Sequence, residues 1–309
     1  LNISLQSWWL VDSGSHLDWK DGGTKYLSNW TSGVSLWNTF MPGVIRKDTS
    51  TTVNDLTLSD VSQVNNVNAT TYLSGKIIFN QYNMDNLTNS EKTAVAAHEC
   101  GHALGLDHNT SKDIMYAYTP LVNSLSVNDK ASYVATWIKG PYNVPNHGAI
   151  NCYTINVDNI NELVGHADYV FVGKVTKKLS TIEQKTLSGD SIDMPNTIYN
   201  VDVIKNLKGN LDTSITITKN GGLNTETNSE IIFEGDEMPQ ESNTYIFTAY
   251  AQPDGSLLVS GKNSNILISK NEGISLLDDT EEYLSYSLAV DQQVKFDRVR
   301  YKSIYDLSK

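Results

Sequence analysis

Apolar residues recur at spacings of three and four along residues 24–40, where Leu27, Trp30, Val34 and Trp37 fall on one stripe. That spacing predicts a helix whose tryptophans face a core. Residues 92–104 contain no proline and carry the small or apolar Ala94, Val95 and Ala97, and Thr88-Asn89-Ser90-Glu91 ahead of them has the form of a capping box. A second, buried helix is expected there. Short strand patterns occupy residues 16–20, 43–46, 53–58 and 76–79. Ser126-Val127-Asn128-Asp129-Lys130 leads into residues 131–138, which read as a short closing helix with Ser126 as its N-cap. Strand, helix, strands and buried helix in this order predict an α+β layer arrangement, a twisted mixed sheet with a helix against it.

The pattern changes after residues 139–148, which hold two prolines and two glycines and read as a linker, with His147 a loop residue. Residues 169–175, 198–204, 214–218, 230–233, 245–250, 256–259 and 266–269 alternate or run apolar, punctuated by Gly209, Gly221-Gly222, Gly235 and Asp254-Gly255. They predict a small antiparallel β barrel or sandwich. A helix over 157–164, with His166 at its end, is expected before it, and a helical tail from Asp278 to about Ile304 after it. The expected organisation is 1–140 as a first domain, 141–149 as linker and 150–309 as a β-rich accessory domain.

The chemistry concentrates in His98-Glu99-Cys100-Gly101-His102-Ala103-Leu104-Gly105-Leu106-Asp107-His108, which reads H-E-x-x-H-x-x-G-x-x-H. Residues four apart on a helix share a face, about 6 Å apart along the axis, so His98 and His102 can address one ion. Glu99 is too far round the helix to join them but can reach a water on that ion. Gly105 can adopt a left-handed conformation that ends the helix and lets the chain return His108 as a third ligand. Three histidines leave one position of a tetrahedral zinc open for water, whose pKa zinc lowers and whose proton Glu99 can take.

This segment resembles the metal motif of the metzincin zinc peptidases, and Gly101-His102-Ala103-Leu104-Gly105-Leu106-Asp107-His108 resembles the matrixins in particular. Asp113-Ile114-Met115-Tyr116 is similar to the family's Met-turn. The resemblance implies one catalytic zinc on His98, His102 and His108, with Glu99 as general base and Met115 as a structural floor rather than a ligand. It also implies protein or peptide substrates, and a sheet edge above the cleft, within residues 53–72, that pairs with extended substrate. Matrixins commonly continue Tyr-Pro-x-Tyr; here Tyr116-Ala117-Tyr118-Thr119-Pro120 replaces the proline and displaces the second tyrosine. Tyr116 and Tyr118 are therefore candidate substrate-pocket residues. The insert that carries structural zinc and calcium in animal matrixins has no counterpart before His98, where His16 is the only earlier histidine. A second zinc is not expected, and these residues supply no argument for calcium.

Composition narrows the partners. With 309 residues, 39% hydrophobic and 19% charged, the chain suits a soluble two-domain protein, and no apolar run approaches the roughly 18 residues of a membrane span. The net charge of −12 divides into 12 acidic against 9 basic residues over 1–140 and 23 against 14 over 141–309. Without a basic patch, nucleic acid is a poor partner. Richness in Asn, Ser and Thr suits an exported protein, and secretion is expected; the chain opens on Leu1, so a signal peptide and any pro-segment are expected to lie outside this sequence or to have been removed. Cys100 and Cys152 do not make a disulfide framework. Cys100 is expected to be a free thiol in the core. The alternatives are a Cys100–Cys152 bridge, if the Cα atoms come within about 7 Å, and a Cys152 that reaches the zinc, as a pro-segment cysteine does in latent matrixins. Three functions follow: a secreted zinc endopeptidase, a metal-binding adhesion protein with little turnover, and a peptidase inhibited in cis through a contact between its two domains. The intact Glu99 favours the first.

Overall fold

The computed structural model describes residues 1–140, 148–270 and 277–308. It divides into two compact units: Leu1–Ser62 with Val67–Thr154 and Lys185–Ile192, and Gln63–Asn66 with Ile155–Gln184 and Asp193–Lys309. No helix among the described residues is long and apolar enough to cross a membrane.

The first unit runs β1 (Leu17–Asp21), α1 (Leu27–Phe40), β2 (Ile45–Lys47), β3 (Leu56–Val61), β4 (Val67–Tyr72), β5 (Lys76–Asn80), the single turn α2 (Gln81–Met84), α3 (Asn89–Ala103), α4 (Val127–Lys139) and β6 (Ala149–Tyr153). Its sheet has the order β2-β1-β3-β5-β4-β6. The pairings from β2 through β5 are parallel, whereas β4 is antiparallel to both β5 and β6. This is a mixed sheet in an α+β unit. Helices α1 and α3 pack on each other: Trp30 and Trp37 are fully buried, and the Trp37 indole donates to the Ala97 carbonyl at 2.9 Å. The stripe Leu27, Trp30, Val34, Trp37 thus faces the core that Leu17, Leu56, Ile77 and Phe79 complete from the sheet.

Two expectations change here. The strand sought at the sheet edge within residues 53–72 is β4, and it is not at the edge, because β6 lies beside it. For the same reason the first unit extends to Thr154, whereas the sequence pattern assigns residues 150–154 to the second domain. The Pro- and Gly-rich stretch signals a break, but nothing local shows that the strand after it pairs with one some 80 positions earlier. The linker core 141–147, with His147, lies outside the described residues.

The second unit holds α5 (Ile160–His166), β7 (Tyr169–Lys185), β8 (Ser191–Lys208), β9 (Ser214–Asn220), β10 (Gly222–Asn224), β11 (Ser229–Ile231), β12 (Thr244–Ala251), β13 (Leu257–Val259), β14 (Asn265–Ser269) and α6 (Glu281–Asp291). Its main sheet has the order β13-β9-β8-β7-β12-β14, and β13 pairs with β12 as well as β9, so the pairings return on themselves. Phe171, Tyr199, Val201, Ile217, Phe247 and Val259 fill its core.

The expected helical tail is shorter than the sequence suggests. Helix α6 stops at Asp291, and residues 293–308 run without helix. Their cations satisfy the last carbonyls of α5 instead: Arg298 donates to the His166 carbonyl at 2.9 Å and Arg300 to that of Gly165 at 2.8 Å, while Lys208 from β8 reaches those of Val164 and Ala167, each at 2.7 Å. Positive charge at a helix C-terminus and hydrogen bonds to its free carbonyls favour this course over more helix.

Candidate metal centre

Helix α3 presents the motif because both its ends are fixed locally. Thr88 caps the first turn in a full capping box with Glu91. At the other end Gly105 takes φ of +95°. Its N–H donates to the His102 carbonyl and that of Leu106 to the Gly101 carbonyl, both at 3.0 Å, which is a Schellman closure. The closure turns the chain back so that His108 faces His98 and His102. The ring centroids of the three stand 4.5, 5.3 and 4.9 Å apart, and one nitrogen of each lies within 4.8 Å of the others.

The ring orientations test whether a cation fits. The Nδ1 atom of His98 meets the Ile114 carbonyl at 2.9 Å, and that of His102 meets the Leu106 carbonyl at 2.8 Å. A carbonyl only accepts, so each Nδ1 carries the proton and each Nε2 of the neutral rings presents a lone pair. Those two Nε2 atoms are 2.9 Å apart. Burial pushes the His98 pKa down to about 4, which keeps its ring neutral. Two lone pairs at this distance repel unless a cation stands between them, so the donor set fits a zinc ion held by His98, His102 and His108.

Glu99 is fully buried beside them. The Thr71 hydroxyl on β4 donates to its Oε2 at 2.5 Å, while Oε1 has no hydrogen-bond partner. Burial raises the Glu99 pKa to about 8, against the opposing effect of that hydroxyl and of the Cys152 N–H. A buried carboxyl close to His98 and held at Oε2 by Thr71 is suited to exchange a proton at this spot.

Beneath the histidines, Met115 is buried against Gly101 and Trp37. Its turn is held by Asp129 of α4, whose carboxylate accepts from the N–H groups of Ile114 at 2.9 Å and Met115 at 3.3 Å. The same Ile114 orients His98, so Asp129 acts on the metal centre at one remove. Tyr116 and Tyr118 pack edge to face at 5.0 Å. Ala117 between them accepts the Tyr153 N–H at 3.0 Å, and Tyr118 forms a parallel bridge with Tyr153. Both cysteines are buried free thiols, so the alternative of a Cys100–Cys152 bridge is not realised. Cys100 faces the core, as its offset from His98 predicts. Cys152 has a ligand atom within 4.8 Å of those of His98 and Glu99.

Sequence reasoning did not find Thr71, Gln6 or the role of Asp129. Gln6 donates its amide to the His102 carbonyl at 2.5 Å from outside the motif. The capping box of α4, Ser126 with Asp129, was the signal nearest to hand, but a cap does not reveal a second partner.

No curated protein matches the chain. The matrixin family model matches residues 39–134, a span that contains α3, the three histidines, Glu99 and the Met115 turn. With the mixed sheet and the histidine cluster, this similarity supports a matrixin-like metzincin catalytic domain in the first part of the chain.

Proposed function

We propose that the protein is a secreted zinc-dependent endopeptidase in which Glu99 is the general base. The observation that carries this reading is a buried Glu99 carboxylate with an oxygen within 4.8 Å of a His98 ring nitrogen, at a cluster whose two Nε2 atoms are 2.9 Å apart. Zinc bound there would polarise a peptide carbonyl and acidify a water. The chain's own residues supply the rest. The carbonyls of Ile114 and Leu106 fix the imidazole tautomers, so no proton competes for Nε2. Thr71 fixes one oxygen of Glu99 and leaves the other to take a proton from water and return it to the leaving amine. Burial excludes competing solvent and strengthens each of these interactions. Met115 keeps the floor dry and is not a ligand, and Tyr116 and Tyr118 supply the aromatic wall beside the groove. Export is supported by the Asn-, Ser- and Thr-rich composition. The second unit, read as a small β barrel from its returning strand pairings, would bind or regulate rather than catalyse.

The test is digestion of casein by the full chain with and without a chelator, beside Glu99→Gln and His102→Ala. Glu99→Gln is expected to retain zinc and lose about 100-fold or more in rate, and His102→Ala to lose the metal. A Glu99→Gln variant that cleaves at the wild-type rate would refute the assigned base. A full chain that binds zinc and cleaves nothing would favour the adhesion reading.

A further inference from the structure

The second unit buries a lysine against an aspartate inside its β fold. Lys219, on β9, is fully buried, and its Nζ donates to both carboxylate oxygens of Asp236 and to the Ser264 hydroxyl, each at 2.7 Å. Asp236 lies in the connection between β11 and β12, and its side chain is 3% exposed. Taking an ion pair out of water is costly, and the mutual attraction of the two charges need not offset that cost. Burial pushes the Lys219 pKa down and the Asp236 pKa up, in each case toward the uncharged form and against the pull of the partner charge. An uncharged amine is a nucleophile, and an uncharged carboxyl has a hydroxyl to lose.

The two groups are also placed to react. A nitrogen 2.7 Å from both oxygens of one carboxyl stands within about 3.1 Å of its carbon, because C–O bonds are about 1.2 Å long. That is the separation of a near-attack arrangement. The carboxyl is fixed by backbone donors: Oδ1 accepts the Glu237 N–H at 2.8 Å, and the Gly261 N–H donates to the same carboxyl. Donors aimed at a carbonyl oxygen stabilise the negative charge that builds on it during attack. Ser264, just ahead of β14, keeps the amine from swinging away.

We propose that Lys219 and Asp236 condense to an intramolecular amide, a covalent staple between β9 and the β11–β12 connection. The Nζ–Cγ bond forms and the Cγ–Oδ2 bond breaks. Two of the three ammonium protons leave with Oδ2 as water, and the third stays on the amide nitrogen. Oδ1 remains as the amide carbonyl, held by the Glu237 N–H. The balance needs no other reactant. The staple replaces a buried ion pair by a neutral amide and closes the loop of residues 219–236. Both cysteines belong to the first unit, so the second has no disulfide of its own. An amide holds it equally in oxidising and reducing surroundings. The proposal is independent of the metal centre.

The test is the mass of the full chain, purified folded and then denatured. Wild type is expected to be one water lighter than its sequence. Trypsin is expected to leave Lys219 uncut, because its amine is blocked. A further cut by a Glu-specific protease at Glu226, Glu230 or Glu234 is expected to release two strands still joined through Lys219 and Asp236. Lys219→Arg, which keeps the cation without the reactive amine, and Asp236→Ala are expected at full mass. A wild type of full mass, with Lys219 open to trypsin, overturns the proposal whether or not the variants fold. So does a missing water that maps to Asp254-Gly255, as a succinimide there would, instead of to Lys219 and Asp236.

Discussion

Adding one methyl group at Gly101 tests whether the floor of the metal centre is set by packing. A Cβ at this position of α3 would stand 2.3 Å from Met115 Sδ, 3.1 Å from Met115 Cε and 3.0 Å from Trp37 Cζ2. Ordinary contact needs about 3.5 Å or more, so the Met115 sulfur must retreat by about 1.2 Å. It has little room, because the residue is 1% exposed and its backbone is tied to Asp129. Overpacking of a core costs about 1–3 kcal/mol. Alanine in place of glycine inside a helix returns about 1 kcal/mol. The expected net for Gly101→Ala is a loss of up to about 2 kcal/mol, or a fall of up to about 8 °C in the melting temperature of a unit this size. Scanning calorimetry with and without zinc reads it, the first unit being the transition that zinc shifts. The displaced Met115 also pulls on Ile114, whose carbonyl orients His98, so the zinc-induced shift is expected to shrink as well. A second comparison isolates the contact. In the double variant Gly101→Ala, Met115→Ala the added methyl enters the space the sulfur vacates, so the losses are expected to be less than additive. A rise of about 2–4 °C for Gly101→Ala, the helix-propensity gain alone, together with additive losses in the double variant, would show that Met115 does not lie under Gly101.

Gly33→Ala is a harsher case, since its Cβ would meet the Ala97 backbone nitrogen at 2.7 Å and no side-chain rotation can relieve it. Helices α1 and α3 must part, and a loss of about 2–3 kcal/mol in urea unfolding is expected, with a smaller loss than Gly101→Ala counting against the packing described. In the second unit, burial foremost and then the charges of Arg298, Arg300 and Lys208 hold the His166 pKa well below its ordinary value. The unfolded chain takes up a proton below about pH 6.5 that the folded chain refuses, so stability is full above that pH and falls as the pH drops through it, by at most about 1.4 kcal/mol per pH unit. The urea midpoint of that unit between pH 7.5 and 5.5 is expected to depend on pH less steeply in His166→Asn; equal slopes would assign the effect to another group.

The metal segment was legible because its determinants are local. A capping box, two histidines four apart and a glycine at the helix end all act within twenty residues, and α3 has the caps, end and burial that spacing predicts. The stripe of Leu27, Trp30, Val34 and Trp37 was legible for the same reason. What the sequence hid is pairing at long range. Thr71 reads as one more strand threonine until the fold sets its hydroxyl on Glu99. Cys152 reads from the sequence as a bridge partner of Cys100 or a thiol near the metal, but the Ala149–Tyr153 stretch carries no pattern that names β4 as its neighbour. The end of the helical tail was hidden similarly, since the value of Arg298 and Arg300 lies in carbonyls more than 130 positions away.

The same division explains how the centre is held. Each Nδ1 of His98 and His102 is fixed by a backbone carbonyl, and those carbonyls belong to a helix closure and to a turn that Asp129 ties to α4. None of these bonds involves the metal. The imidazoles are therefore oriented by the fold itself, and the conformational cost of bringing them together is met when the first unit folds. What remains for the ion is to bridge ring nitrogens that the fold has already brought together. A site oriented in advance gains more on binding than one that the ion must assemble. The histidines are thus held by α3 and its turn, while β6 is held independently of them, by its backbone ladder with β4, by the Ala117 carbonyl and by side-chain hydrogen bonds from Thr70 and Asn68.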